Sequence, residues 1–171
     1  LIYCLYPKNK TWGIKFEKLN EKHLKQSLFD QIGIPLIFLK NIYSLFSKTN
    51  KNLSIVMFSS IQGISNPKFD HYKNLKMSSP IEYSATKSGI ISITSYLEKY
   101  IRNKRIRINS ISPGGIFNNQ SKIFIKRYKS VCKSKGLLNP SDITGLVSFL
   151  ISDSSKYIRG QNIVIDDGWS L

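Results

Sequence analysis

Tyr83 and Lys87 stand four residues apart in the stretch Tyr83-Ser84-Ala85-Thr86-Lys87. On a helix this spacing puts the phenol and the ammonium on one face. A free tyrosine titrates near about 10. A neighbouring ammonium favours the phenolate and lowers that value, which would give a proton donor and acceptor usable near neutral pH. The same pair also reads as two surface residues of an amphipathic helix, and spacing alone does not choose between the two. No metal spacing accompanies them: His71 has no second ligand at a suitable distance along the chain, and Cys4 and Cys132 belong to no ligand pattern and imply no disulfide framework. A reducing, cytoplasmic setting is the default expectation for such a chain.

Short apolar runs alternate with helix-like stretches and must position these groups. Leu1–Tyr6, ended by Pro7, reads as a buried strand, and Lys8–Lys15 as a loop. Phe16–Asp30 is helix-compatible, and Ile32–Phe46 is a largely buried helix interrupted near Gly33 and Pro35. Ser54–Phe58 is a buried parallel strand, Tyr83–Ile101 a long helix, and Arg105–Ile111 an alternating strand. Ser112–Gly115 is expected as a loop, followed by a basic helix-like stretch within Phe117–Lys135. A helix capped by Asn139 or Ser141 runs to about Ser152, and Gly160–Ile165 is a last strand. This alternation predicts right-handed crossovers, a parallel sheet and a doubly wound α/β fold in one domain over residues 1–171. The strands end in small polar clusters, Ser59-Ser60, Ser112-Pro113-Gly114 and Asp166-Asp167-Gly168. In open α/β sheets a ligand crevice lies outside those ends.

The formal net charge is +16, and 41% of residues are hydrophobic. Such charge is compatible with a basic RNA-associated protein. The Lys residues, however, are spread along the chain beside abundant Asn and Ile, a bias that A+T-rich codons produce without function, and no block of five like charges occurs. Nucleic acid is therefore not the expected partner. No apolar run reaches the length of a spanning helix, about 18 or more residues, so no membrane partner is expected.

In order along the chain come a strand with Ser59-Ser60-Ile61-Gln62-Gly63, a helix with Tyr83 and Lys87, a strand leading to Asn109-Ser110-Ile111-Ser112-Pro113-Gly114-Gly115, and a terminal Gly160 to Gly168 segment. The set resembles the short-chain dehydrogenases/reductases over nearly all 171 residues. The block from Ser59 to Gly89, with 22 residues between Ser60 and Tyr83, together with Arg107–Gln120 and Tyr6–Phe16, is similar to the flagellin-modification or sugar-pathway oxidoreductases within that family. The resemblance implies a Rossmann sheet, an NAD or NADP cofactor and hydride transfer at a secondary alcohol or ketone of a small molecule, expected to be a sugar derivative. Tyr83 would be the acid/base, Lys87 would hold the nicotinamide ribose and tune Tyr83, and Ser60 would bond the substrate oxygen. Pro113, Gly114, Gly115 and Ile116 would wall the nicotinamide, with the Ile116 backbone on its carboxamide. Asn109 would be structural, as would Ser59, and Asp166-Asp167-Gly168 would close the sheet and support the subunit contact, or equally reads as a solvated terminal turn. The apolar surplus of Ile32–Phe46 and Ile90–Tyr100 adds an expected homo-oligomer. The loop with Lys68, Phe69, Asp70, His71, Tyr72, Lys73 and Lys76 reads either as a solvated surface loop or as a grip on a phosphorylated or nucleotide-linked sugar.

The chain departs from the family in three places. No Gly-x-Gly occurs, so the phosphate-binding turn is missing and the fold is expected to be incomplete at its N-terminus, the C-terminal two-thirds of such an enzyme. Tyr3 stands where the subgroup has an asparagine, and Gln31 or Ile32 near the place of a catalytic-helix asparagine. The 171 residues alone are therefore expected to lack dehydrogenase activity. A degenerate fragment or a non-catalytic assembly subunit is the alternative expectation.

Overall fold

The computed structural model describes residues 1–8 and 13–171. Part of the expected loop at Lys8–Lys15, and with it part of the Tyr6–Phe16 likeness, falls on residues 9–12 and lies outside the described residues.

Four strands lie side by side and all parallel: β1 (Ile2–Tyr3), β2 (Leu53–Phe58), β3 (Ile106–Pro113) and β4 (Asn162–Ile165), in that spatial order. Alternation along β2 and β3 sorts their side chains onto two faces. Leu53, Ile55, Met57, Ile106 and Ile108 pack under the long helices α2 (Ile34–Phe46) and α3 (Ile81–Tyr100), which the short α1 (Glu21–Leu28) precedes, whereas Val56 and Ile111 pack against α5 (Pro140–Ile151). A third cluster at the carboxyl ends of the strands gathers around α4 (Lys122–Lys129): Ile61, Phe124, Tyr128, Leu137 and Trp169. No described helix is long and apolar enough to cross a membrane.

The expected interruption near Gly33 and Pro35 is present, in a different form. The chain between α1 and α2 keeps helical dihedrals through a π turn at Phe29–Gly33, where the Ile34 N–H reaches the Phe29 carbonyl. Proline at position 35 cannot donate to the carbonyl four residues back, and one wider turn absorbs that loss without breaking the rod. The first strand is shorter than Leu1–Tyr6, covering only Ile2–Tyr3. β3 runs through Ser112 and Pro113, which the sequence had suggested as loop. Donors of Ser110 and Gly114 point to β4, so the Pro113 nitrogen faces the other side, past the point where β2 has ended at Phe58. A proline there deprives no neighbour of a bond.

Buried polar groups tie the elements. Asn109, wholly buried, accepts from the Gln161 N–H at 2.9 Å and donates to the Ile158 carbonyl at 2.7 Å, so it is structural as expected. Arg107 gives its guanidinium to the carbonyls of Leu150 and Ser152, which end α5. Asp142 accepts from the Asn139 N–H at 2.7 Å and fixes the start of α5.

Candidate active site

The carboxyl end of β2 carries Ser59 and Ser60 to the first turn of α3. The Ser59 hydroxyl donates to the Lys87 carbonyl at 2.7 Å, and that of Ser88 to the Gly63 carbonyl at 2.7 Å. These two bonds lock the strand end onto the helix, and Ser59 is spent on packing. Ser60 caps the 3-10 turn Ile61–Gly63, its oxygen accepting from the Gln62 N–H at 3.2 Å. Ser60 also neighbours the Tyr83 phenol and, as a hydrogen-bonding side chain, lowers its pKa.

Lys87 is drawn in beneath them. Its ammonium donates to the Phe58 carbonyl at 2.9 Å and lies 4.9 Å from the centre of the Tyr6 ring and 5.7 Å from that of Tyr83. Burial lowers its pKa to about 8, opposed weakly by the nearby Cys4. The Tyr6 and Tyr83 rings meet edge to face at 5.0 Å. Sequence reasoning expected Lys87 to lower the Tyr83 pKa, and the direction found is the reverse. Burial raises the phenol above its ordinary value, and only the Ser60 hydrogen bond pulls it back. Removing water from around a phenolate outweighs the stabilisation that the expectation relied on.

The segment after β3 is built by close approach. A Cβ on Gly114 would sit 2.9 Å from the Asp166 Cα, and one on Gly115 would sit 2.6 Å from Leu137 Cδ2. Tyr128 accepts from the Gly115 N–H at 2.6 Å. Gly114 is therefore required by packing against backbone, whereas Gly115 is tight only against the Leu137 and Tyr128 side chains. Ile116 follows, its carbonyl accepting from Gln120 Nε2 at 2.7 Å. With Cys4, Phe58, Ile143 and Val147 it lines an apolar groove of about 480 Å³. Asn118 is exposed, and its backbone N–H donates to Gln120 Oε1 at 2.8 Å.

Three groups escaped the sequence reading. Tyr6 was absorbed into an apolar run, though its place at a strand end before Pro7 marks the site's edge. Tyr128 gave no signal beyond its basic helix. Gln62 with Tyr72 and Ser79 forms a hydrogen-bonded group beside Ser60. His71 is buried among the rings of Phe124, Tyr128 and Trp169, so that part of the 68–73 loop is packed rather than solvated. Gln31 lies in the π turn and donates to the Pro7 carbonyl at 2.5 Å. Among the described residues no group of three His, Cys, Asp or Glu side chains is placed to hold a metal.

A family model described as enoyl-(acyl carrier protein) reductase matches residues 40–170. The chain is 39% identical over 167 residues to the post-translational flagellin modification protein A of Campylobacter coli, covering 97% of the chain and 65% of that relative. It superposes with a TM-score of 0.90 on the crystal structure of a short chain dehydrogenase from Leptospira borgpetersenii with bound NAD+, at 34% identity, covering 99% of the chain and 64% of the other. A 4-hydroxyisoleucine dehydrogenase complexed with NADH matches with a TM-score of 0.78 at 25% identity, covering 92% and 64%. The chain spans less than two thirds of the length of each of these three relatives.

Proposed function

The chain belongs to the short-chain dehydrogenase/reductase family, and we propose that it carries the proton-handling part of a site for NAD- or NADP-dependent hydride transfer at a secondary alcohol or ketone. The observation that carries this reading is the buried Lys87, its ammonium 5.7 Å from the centre of the Tyr83 ring and bonded to the Phe58 carbonyl at the strand end that bears Ser60, with Ser60 acting on the Tyr83 phenol. In the proposed reaction Tyr83 Oη gives a proton to a carbonyl oxygen during reduction, or takes one from a hydroxyl during oxidation. The Ser60 hydroxyl donates to the same substrate oxygen. A phenol raised by burial holds its proton until the substrate oxygen demands it, which suits the reducing direction. Lys87, with its pKa near about 8, is the group that would meet the ribose hydroxyls and lend positive charge to the phenolate as it forms.

The nicotinamide cofactor supplies the hydride when bound. The residues here fit its reactive end: Tyr83, Lys87, the turn Pro113–Gly115, and Ile116, whose carbonyl is already engaged by Gln120, leaving its N–H for the carboxamide. They do not fit its phosphates, since no Gly-x-Gly turn is present in the 171 residues. This stretch alone therefore lacks dehydrogenase activity. The likeness to a flagellin modification protein supports a sugar derivative as substrate. The basic loop with Lys68, Lys73 and Lys76 supports a phosphorylated or nucleotide-linked form. The apolar outer faces of α2 and α3 support a homo-oligomer.

The test joins to this chain the part of the Campylobacter relative that it does not cover and measures NAD(P)H-dependent turnover of ketosugar nucleotides. Turnover that falls by a factor on the order of 10² or more in Tyr83→Phe, the contribution of a positioned acid, supports the reading. Undiminished turnover in Tyr83→Phe, or none with the joined chain, sinks it.

A further inference from the structure

Gln62, Tyr72 and Ser79 group into an open ring, two sides of it hydrogen bonds, that the proton chemistry does not use. Gln62 Nε2 donates to Tyr72 Oη at 3.3 Å, and the Ser79 hydroxyl donates to Gln62 Oε1. A serine has one proton, and here the amide oxygen takes it. The two bonds therefore run one way, from serine to amide to phenol, and each polarises the next.

The ring adjoins the reacting groups. The Gln62 N–H donates to Ser60 Oγ at 3.2 Å. The phenols of Tyr72 and Tyr83 are close enough that charge on Tyr83 raises the Tyr72 pKa, although burial is the larger cause. Tyr72 is held from behind by the Phe124 ring at 5.3 Å. Gln62, Tyr72 and Ser79 are all half-buried, not sealed. What the ring leaves unused is the second N–H of Gln62, the Tyr72 O–H and lone pairs on three oxygens. Donors beside several acceptors match a hydroxyl, which both gives and takes a hydrogen bond. An alkyl chain laid there would strip water from these groups and return nothing.

We infer that Gln62, Tyr72 and Ser79 form a hydroxyl-recognising wall beside Ser60 and Tyr83. It selects substrates with a second hydroxyl next to the reacting carbon, as polyols and sugars have, over substrates with a saturated chain. The inference rests on the proposed reading of Ser60 and Tyr83 as the site of proton transfer.

The test uses two probes that differ by one hydroxyl, cis-1,2-cyclohexanediol and cyclohexanol. Each is titrated into the 171-residue chain while the labelled Gln62 side-chain amide is followed by NMR. The diol binds more tightly than the mono-alcohol by about tenfold, the order that one net hydrogen bond supplies in water. In Tyr72→Phe and Gln62→Leu the preference collapses to near unity, followed for Gln62→Leu on the Tyr72 ring signals. Ser79→Ala provides a third, milder break of the ring should Gln62→Leu not fold. Equal affinities in the wild type, no diol binding, or a preference kept in variants that merely melt at lower temperature would overturn the inference. In the last case the ring is only a brace between loops. Repeating the comparison as turnover in the joined chain separates the two proposals: a diol preference in binding without any hydride transfer removes the oxidoreductase reading alone, and turnover with no preference removes the wall alone.

Discussion

Tyr83 feels two opposing influences, burial that disfavours the phenolate and the Ser60 hydrogen bond that favours it. Removing the second leaves the first unopposed. Ser60→Ala therefore raises the Tyr83 pKa further, read as a tyrosinate absorbance or ring-carbon NMR titration that moves to higher pH. An unchanged or lower midpoint would mean that the two side chains do not interact. Tyr83 and Lys87 stood out because they lie four residues apart on one helix, and Ser60 because its place in the order of motifs matches a family pattern. The direction of the Tyr83 shift was not legible. It depends on how much water the surrounding rings exclude, and Tyr6 comes to that place from more than 70 residues away in sequence. The Gln62–Tyr72–Ser79 ring was hidden for the same reason, since its members lie 10 and 17 residues apart in a stretch without regular periodicity.

At the scale of elements, the contact between the end of β2 and the first turns of α3 governs the site. Gly63 sits where a Cβ would fall 2.8 Å from the Lys87 carbonyl carbon and 2.8 Å from Ser59 Oγ. Backbone cannot swing aside as a side-chain tip can. Gly63→Ala is thus expected to cost about 1–3 kcal/mol, the usual penalty of overpacking, and to shift Lys87 and Tyr83 away from Ser60. A lowered melting temperature together with a perturbed Tyr83 titration checks this, and a melting temperature within a degree of wild type contradicts it. Element types were readable from apolar runs and caps, such as Asn139–Asp142 at the start of α5. Boundaries were less so. β1 is shorter than its apolar run, and β3 reaches through Pro113 because the edge facing that nitrogen is empty of strand. The terminal Asp167 likewise reads as a turn residue. In the fold its carboxylate accepts from the N–H groups of Ser134, Lys135 and Gly136, which hold its pKa down to about 2 and pin that loop.

For the whole molecule, the parallel sheet and its two helical layers follow from alternation, and the family pattern supplies the rest. The long helices leave apolar surface outward: Leu36, Ile37 and Leu45 on α2, and the stacked pair Tyr96 and Tyr100 on α3, the last two 67% and 64% exposed. A patch of this kind favours a second copy. Light scattering should report a dimer or larger assembly, and Tyr100→Glu should shift it toward monomer; a wild-type monomer at high micromolar concentration would rule that out. The central claim is that this chain holds the reactive end of a nicotinamide site without a phosphate-binding turn. Titrating the purified 171-residue chain with NADH and NADPH while following nicotinamide fluorescence tests it most directly. The account predicts no saturable binding tighter than roughly 100 μM, about −5.5 kcal/mol, until the glycine-rich segment is joined. Saturable binding below that concentration by the 171 residues alone would contradict it.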